Sequence, residues 1–192
     1  MDSEQLDSVA ELMKDFQYPW LIAGGWSIDL ALGAVTRQHE DVDICVFRQH
    51  VQGVLDYFSD WDIAVAIPGE HRLEPCRTVQ DTSPPRFGLH LRKGEQFIEI
   101  LLTDRIDDEV IFRRDPSIRM PLHDFIRMDN QGRKYVAPEW QLLFKSKEGR
   151  EKDEQDFTSY ISHCSEQQRE WLLTALKTNN PNSKWITMLE LT

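Results

Sequence analysis

The sequence predicts an α+β domain, mixed α/β in its first two-thirds and closed by a helical part, and three observations carry that reading. Helical and strand periodicities alternate from Ser3 to Val136. A run of helical candidates follows Pro138. Neither stretch contains an internal repeat or a low-complexity tract. The boundary near Pro138 suggests a core over residues 1–136 and a C-terminal helical region over 137–192 packed on it.

Leu6, Val9, Leu12, Met13 and Phe16 recur at helical spacing, so a first amphipathic helix runs from about Ser3 to Phe16 and ends at the Tyr18-Pro19 step. Trp20 to Ala23 reads as a short buried strand. Gly24-Gly25 breaks it, and Trp26 to Leu32 reads as a helix with Gly33 at its C-terminus. Val42, Ile44 and Val46 alternate with Asp41, Asp43 and Cys45, the period of a strand with one apolar face and the acidic pair on the other. A helix over Arg48 to Phe58, a strand over Trp61 to Ile67 and a long polar loop over Pro68 to Pro85 follow. Phe87 to Leu91 and Gln96 to Leu102 read as strands joined at Arg92-Lys93-Gly94-Glu95, with further short strands over Val110 to Phe112 and Arg133 to Val136. Glu139 to Lys147, Lys152 to Cys164, Glu166 to Lys177 and Ser183 to Leu189 are the closing helices, the third opened by a Ser165-x-x-Gln168 capping pattern. The charge runs Asp107-Asp108-Glu109 and Arg113-Arg114-Asp115 read as solvated loop ends.

Among 192 residues, 22 Lys and Arg stand against 33 Asp and Glu, a net charge of −11, and 40% of residues are hydrophobic. That is enough apolar material for a core and too little low-complexity sequence for disorder. No apolar run approaches the ~18–20 residues that span a bilayer, and the start of the chain is acidic where a signal peptide is basic and then apolar. The three cysteines form no CxxC pair, which fits a reducing compartment. A cytoplasmic location is expected, and the charge disfavours nucleic acid and anionic membranes as partners while suiting a small or cationic one.

The chemistry concentrates between Trp20 and Val46. Two glycines between a strand and a helix let a phosphate approach the backbone, where helix N-terminal amides carry partial positive charge. Asp41 and Asp43, two apart on a strand, put both carboxylates on one face, where they can share divalent cations. Taken singly, a Gly-Gly pair is usually just a turn and an Asp-x-Asp usually a solvated face; the two in this order are much rarer. Glu99 is surrounded by apolar neighbours in Phe97-Ile98-Glu99-Ile100-Leu101-Leu102, where a charge is costly unless paired or metal-bound, so it is the candidate third carboxylate. Its bland alternative is a solvent-facing or arginine-paired glutamate on an edge strand.

Leu21-Ile22-Ala23-Gly24-Gly25-Trp26-Ser27-Ile28-Asp29-Leu30, then Gly33 and Arg37-Gln38-His39-Glu40-Asp41-Val42-Asp43-Ile44, resembles the opening of the antibiotic nucleotidyltransferases of the DNA polymerase β superfamily, in particular the lincosamide and aminoglycoside 2″ adenylyltransferase group. The resemblance extends through Phe97 to Leu102 and through Ala137-Pro138-Glu139-Trp140-Gln141-Leu142-Leu143-Phe144-Lys145 to Lys152-Asp153-x-x-Asp156-Phe157, about Trp20 to Ile161 in all. It implies a four- to five-stranded mixed sheet flanked by helices and a catalytic core over 1–136. It further implies that Gly24 and Gly25 hold the triphosphate of ATP or another NTP, with Ser27, Arg37 and Lys145 as further nucleotide contacts. Asp41, Asp43 and Glu99 would be the catalytic carboxylates and bind Mg²⁺, with room for two ions, Glu99 as ligand or general base. Relatives commonly have Asp at that third position. The reaction implied is transfer of an NMP, AMP from ATP first, to a hydroxyl of a small molecule such as an aminoglycoside or lincosamide. A toxin-like enzyme modifying RNA or protein, or a nucleotide-binding module without turnover, are the alternatives.

Several residues have two readings. Lys145 and Lys147 either snorkel to solvent or, for Lys145, turn inward to the β- and γ-phosphates. Arg37 and His39 either orient the Asp-x-Asp strand or touch phosphate. Asp29 braces the turn, Lys152, Asp153 and Asp156 form an exposed ion-pair face, and Cys45 is a small buried thiol. The acceptor, the base preference and the oligomeric state are left open by the sequence.

Overall fold

The computed structural model describes residues 3–147 and 149–191. Helix α1 (Glu4–Leu12) is capped by the Ser3 hydroxyl accepting from the Leu6 amide, and it ends four residues before Phe16. Strand β1 (Trp20–Ile22) leads into α2 (Gly24–Leu32), which begins on the two glycines themselves and closes at Gly33 in the left-handed conformation. Strand β2 (Asp43–Phe47), a 3₁₀ turn (Arg48–His50) and α3 (Val51–Tyr57) follow. Then come β3 (Asp62–Ile67), β4 (Arg72–Pro75), β5 (Gly88–Lys93), the long β6 (Gln96–Ile106), β7 (Glu109–Ile111), β8 (Arg119–Pro121), the single turn α4 (Leu122–Phe125), β9 (Ile126–Met128) and β10 (Lys134–Val136). Four helices close the chain: α5 (Pro138–Lys145), α6 (Glu151–Ile161), α7 (Glu166–Asn179) and α8 (Lys184–Leu191). Both halves of the Ser165/Gln168 capping box form at the start of α7.

The α+β class is therefore observed, with a larger sheet than the expected four to five strands. Its strands run in the order β4-β3-β5-β6-β2-β1-β10-β9, and β7 and β8 extend it from the distal end of β6. Two pairings are parallel, β2 with β6 and β1 with β10; the others are antiparallel. The extra strands come from two places. Part of the expected 68–85 loop folds back on β3 as β4, where Val65 pairs with Glu74, and a short 3₁₀ helix (Val79–Thr82) occupies more of it. Residues after Ile118 make two short strands whose apolar periodicity is too brief to read.

Strand β2 is buried on both faces, from Ile44 to Phe47, because it lies inside the sheet with a core on each side. Ile44 and Val46 face a cluster built with α3, β3, β5 and β6. Cys45 and Phe47 face the other cluster, to which α5, α6, α7 and α8 contribute Trp140, Phe157, Leu176 and Trp185. Phe157 is fully buried and stacks on Trp185 at 4.3 Å between ring centroids. The C-terminal helices thus share one core with the sheet. Phe157→Ala should cost about 3–5 kcal/mol, the range for truncating a buried aromatic, in a single unfolding transition measured by urea titration. A wild-type midpoint would show that this core does not bear on stability.

Candidate functional site

The site lies where β1 ends and β2 begins, beside the first part of β6, with Gly24 of α2 and Lys145 of α5 in its lining. Parallel pairing of β2 and β6 sets Asp43 directly opposite Glu99. Oxygens of Asp41, Asp43 and Glu99 lie within 4.8 Å of one another. Asp41 is exposed, and the other two carboxylates are half-buried. Burial, then the charges of Glu99 and Asp41, push the Asp43 carboxyl up to about 7. Glu99 is raised for the same reasons, burial first and Asp41 next, with Arg113 acting against them. Three hard oxygen donors that repel one another fit a divalent cation of the Mg²⁺ type, which would relieve the repulsion.

Both glycines are required by packing around this cluster. Gly24 has φ +63°, and a Cβ there would come within 2.0 Å of Asp43 Oδ2. A Cβ on Gly25 would come within 2.1 Å of the Arg37 guanidinium and 2.7 Å of the His39 ring. No side chain caps the N-terminus of α2 at Ala23, so its first amides have no side-chain acceptor, and Gly24 in that first turn lines the cleft beside Asp43. Ser27 is fully buried and donates to the Gly24 carbonyl at 2.8 Å, holding that first turn in shape.

A second set of residues braces the site. Asp29, also fully buried, accepts from Thr36 at 2.5 Å and pairs with His39 Nε2 at 2.6 Å, while the His39 ring stacks on Trp26. Asp29 therefore ties the loop before Asp41 to α2, as its brace reading expected. Asp153 and Asp156 are not on an exposed face: both have no exposed surface. They lie on the stripe of α6 that also buries Phe157 and Tyr160 against the core, so burial of one drags in the other. Asp156 takes the Arg37 fork at 2.7 and 3.0 Å and Lys145 Nζ at 2.9 Å. Asp153 takes Lys145 at 3.0 Å and Arg150 Nε at 2.8 Å. Lys152 alone keeps the solvated role, 3.8 Å from Glu40. Lys145 accordingly points inward and lines the cleft, held there by two carboxylates.

The cleft has a volume of about 260 Å³ and is lined by Gly24, Asp43, Glu99 and Lys145 together with Gln141, Phe144, Arg113 and Arg114. Cys45 is at its floor, buried, with its thiol pushed up to about 12, which removes it as a nucleophile. Arg113 is exposed, as the solvated-loop reading has it, and Arg114 is half-buried, but both also line the cleft, which that reading did not include. Strand β7 doubles back on the end of β6 and carries the following residues to the cleft. Sequence spacing held no signal for them, because the contact is made only by the topology. His90, opposite Glu99 across β5 and 3.7 Å from it, was likewise unmarked.

Two outcomes follow. In the metal-free protein the raised Asp43 value means the folded state holds a proton that the unfolded chain releases between about pH 4 and pH 7, so stability falls as pH rises through that window. Mg²⁺ should then raise the melting temperature more at about pH 8 than at about pH 5, where it must displace the proton. Asp43→Asn should flatten the pH dependence and abolish the Mg²⁺ response; an equal response at both pH values would count against the cluster as a cation site. Gly24→Ala should cost about 1–2 kcal/mol from the left-handed backbone alone and also lose the Mg²⁺ response, because Asp43 must move. Retention of that response would show that the close approach is dispensable.

Comparison with known proteins was consistent with this geometry. Residues 5–87 match the family model described as aminoglycoside-2''-adenylyltransferase. A lincosamide resistance protein of Staphylococcus haemolyticus is 30% identical over 57 residues, 30% of this chain and 35% of that protein, so the match spans about a third of the curated relative. Among solved structures, the lincomycin-bound lincosamide antibiotic adenylyltransferase LnuA superposes with a TM-score of 0.58 at 23% identity, covering 85% of this chain and 99% of LnuA. The solution structure of the antibiotic-resistance factor ANT(2'')-Ia gives 0.60 at 14% identity, over 91% of this chain and 90% of that one. By its N-terminal motif and its fold, the chain is a nucleotidyltransferase-fold protein resembling the lincosamide and aminoglycoside-2''-adenylyltransferase group.

Proposed function

We propose that the protein is an enzyme that moves a nucleoside monophosphate, AMP from ATP in the first instance, from a nucleoside triphosphate to a hydroxyl of a small molecule. The observation that carries this reading is the convergence of Asp41, Asp43 and Glu99 beside the uncapped N-terminus of α2. The family match over residues 5–87, and relatives named for lincosamide and aminoglycoside modification, support it.

In the reaction the acceptor oxygen forms a bond to the α-phosphorus, the bond from that phosphorus to the bridging oxygen breaks, and pyrophosphate leaves with the bond's electron pair. The amides at Gly24-Gly25 receive the triphosphate charge. Lys145, Arg37 and Arg150 are locked by Asp153 and Asp156 on the same side, so the positive end of the site is held in place before substrate arrives. A divalent cation bound by Asp41, Asp43 and Glu99 would offset charge on the phosphate oxygens and help ionise the acceptor hydroxyl. Glu99 takes the hydroxyl proton on its carboxylate. Ser27 has its hydroxyl committed to the Gly24 carbonyl, and so acts on the nucleotide through the shape of that turn.

No helix among the described residues is long and apolar enough to cross a membrane. With substrate delivered from solution, the decisive variant is Glu99→Gln, which keeps size and removes the basic oxygen. Pyrophosphate release with ATP, Mg²⁺ and an acceptor should fall by about 10²-fold or more, with ATP affinity by calorimetry falling modestly. Collapse of both together would make Glu99 chiefly a metal ligand, and wild-type turnover would place the base elsewhere.

A further inference from the structure

Glu99 is a wall shared by two clefts. The first lies toward β1, β2 and α5 and contains Gly24, Asp43 and Lys145; Arg113 and Arg114, like Glu99, border both. The second, about 440 Å³, opens on the other side of β6 over the ends of β5 and β3, with Phe87, Gly88 and Pro68 in its lining. The sheet order explains the division, because β6 stands between β2 on one side and β5 and β3 on the other. If the α2 terminus receives the triphosphate, the acceptor hydroxyl must reach Glu99 from the second cleft, since the attacking and leaving oxygens lie on opposite sides of the phosphorus.

The second cleft has an unexpected charge. In a chain of net charge −11, its lining includes Arg113, Arg114 and Lys147, and among the described residues that line it Glu99 is the one carboxylate. Arg113 is held in place without using its hydrogen-bond donors. Its guanidinium carbon lies 4.9 Å from the centroids of both Phe87 and Phe144, and it makes no hydrogen bond or ion pair to another described residue. Its side chain is exposed and lines the cleft. Phe87 carries a second guanidinium, that of Arg48 at 4.6 Å, but Arg48 is committed to Asp104 at 2.5 and 3.2 Å. A planar cation that lies near two rings and whose donors meet no described residue suits a carboxylate or phosphate.

We propose that this second cleft is the acceptor subsite of the nucleotidyl-transfer reading, on which the inference rests, and that Arg113 selects an acceptor bearing an anionic group together with its hydroxyl. A polycation is disfavoured there, so the cleft selects against aminoglycoside-like acceptors even though the surface as a whole is acidic.

The test uses the full chain with Mg²⁺ and a non-hydrolysable ATP analogue at saturation, so that the nucleotide cleft is filled. Glucose 6-phosphate, as a hydroxyl-bearing anion, and tobramycin, as a polyamine, are then titrated by calorimetry. The expected result is glucose 6-phosphate binding to the analogue-bound protein, weakened about 10-fold or more by Arg113→Ala, with tobramycin binding more weakly than glucose 6-phosphate and gaining affinity in Arg113→Glu. Thermal unfolding of Arg113→Gln, which keeps the stacking surface, checks that the variants are folded. Absence of glucose 6-phosphate binding, or binding indifferent to Arg113, overturns the proposal. So does loss of analogue affinity in Arg113→Ala, which would assign Arg113 to the nucleotide's phosphates while leaving nucleotidyl transfer intact. A wild-type protein that binds no Mg²⁺-nucleotide at all overturns the nucleotidyl-transfer reading itself.

Discussion

Asp43 and Glu99 face one another on adjacent parallel strands, with Asp41 close enough for all three to meet at one point. Each carboxylate taken alone would be unremarkable, but the half-burial of Asp43, together with the repulsive charges of Glu99 and Asp41, holds the Asp43 carboxyl well above its ordinary range. The surrounding structure is arranged to keep that repulsion in place. Gly24 leaves room for the Asp43 oxygen, the Asp29–His39 pair fixes the loop entering β2, and the hydrophobic clusters on both faces of the sheet prevent the strands from separating. Stability is given up at this point for an affinity that a cation would recover.

The Arg37–Asp156–Lys145–Asp153–Arg150 chain, buried at Lys145 and both carboxylates, carries the opposite charge to the edge of the same cleft. Taking five ionised groups partly out of water is costly, and an apolar replacement of the whole set would cost less in stability. What the network provides is position. It joins α6, α5 and the loop before β2, segments far apart in sequence, and leaves Lys145 and Arg37 little freedom to reorganise when an anion arrives. The residues that line the cleft and the residues that hold the helical region to the sheet are therefore partly the same.

Charge also differs by region in a way the total conceals. The whole chain is acidic, yet the clefts on either side of Glu99 share Arg113 and Arg114, and add Lys145 and Arg150 on one hand and Lys147 on the other. Long-range steering responds to the total, whereas recognition inside a cleft responds to the few groups that line it, because low-dielectric walls strengthen near charges and water screens distant ones.

The sequence by itself determined the α+β class, the order of most elements, the Gly-Gly break ahead of a helix and the pairing of Asp41 with Asp43, all of which depend on neighbours within a few residues. It also marked Glu99, because a carboxylate inside an apolar run is conspicuous wherever the run lies. Tertiary structure alone decided that β6 pairs in parallel with β2, which brings Glu99 to Asp43, and that β4 and β9 enlarge the sheet. It turned Asp153 and Asp156 from a solvated face into the anchors of Lys145 and Arg37, and it carried Arg113 from a loop end into the cleft. Periodicity reports which face of an element is apolar. It cannot report what charge will be packed opposite a polar residue, since that depends on a chain crossover whose partners are separated by tens of residues.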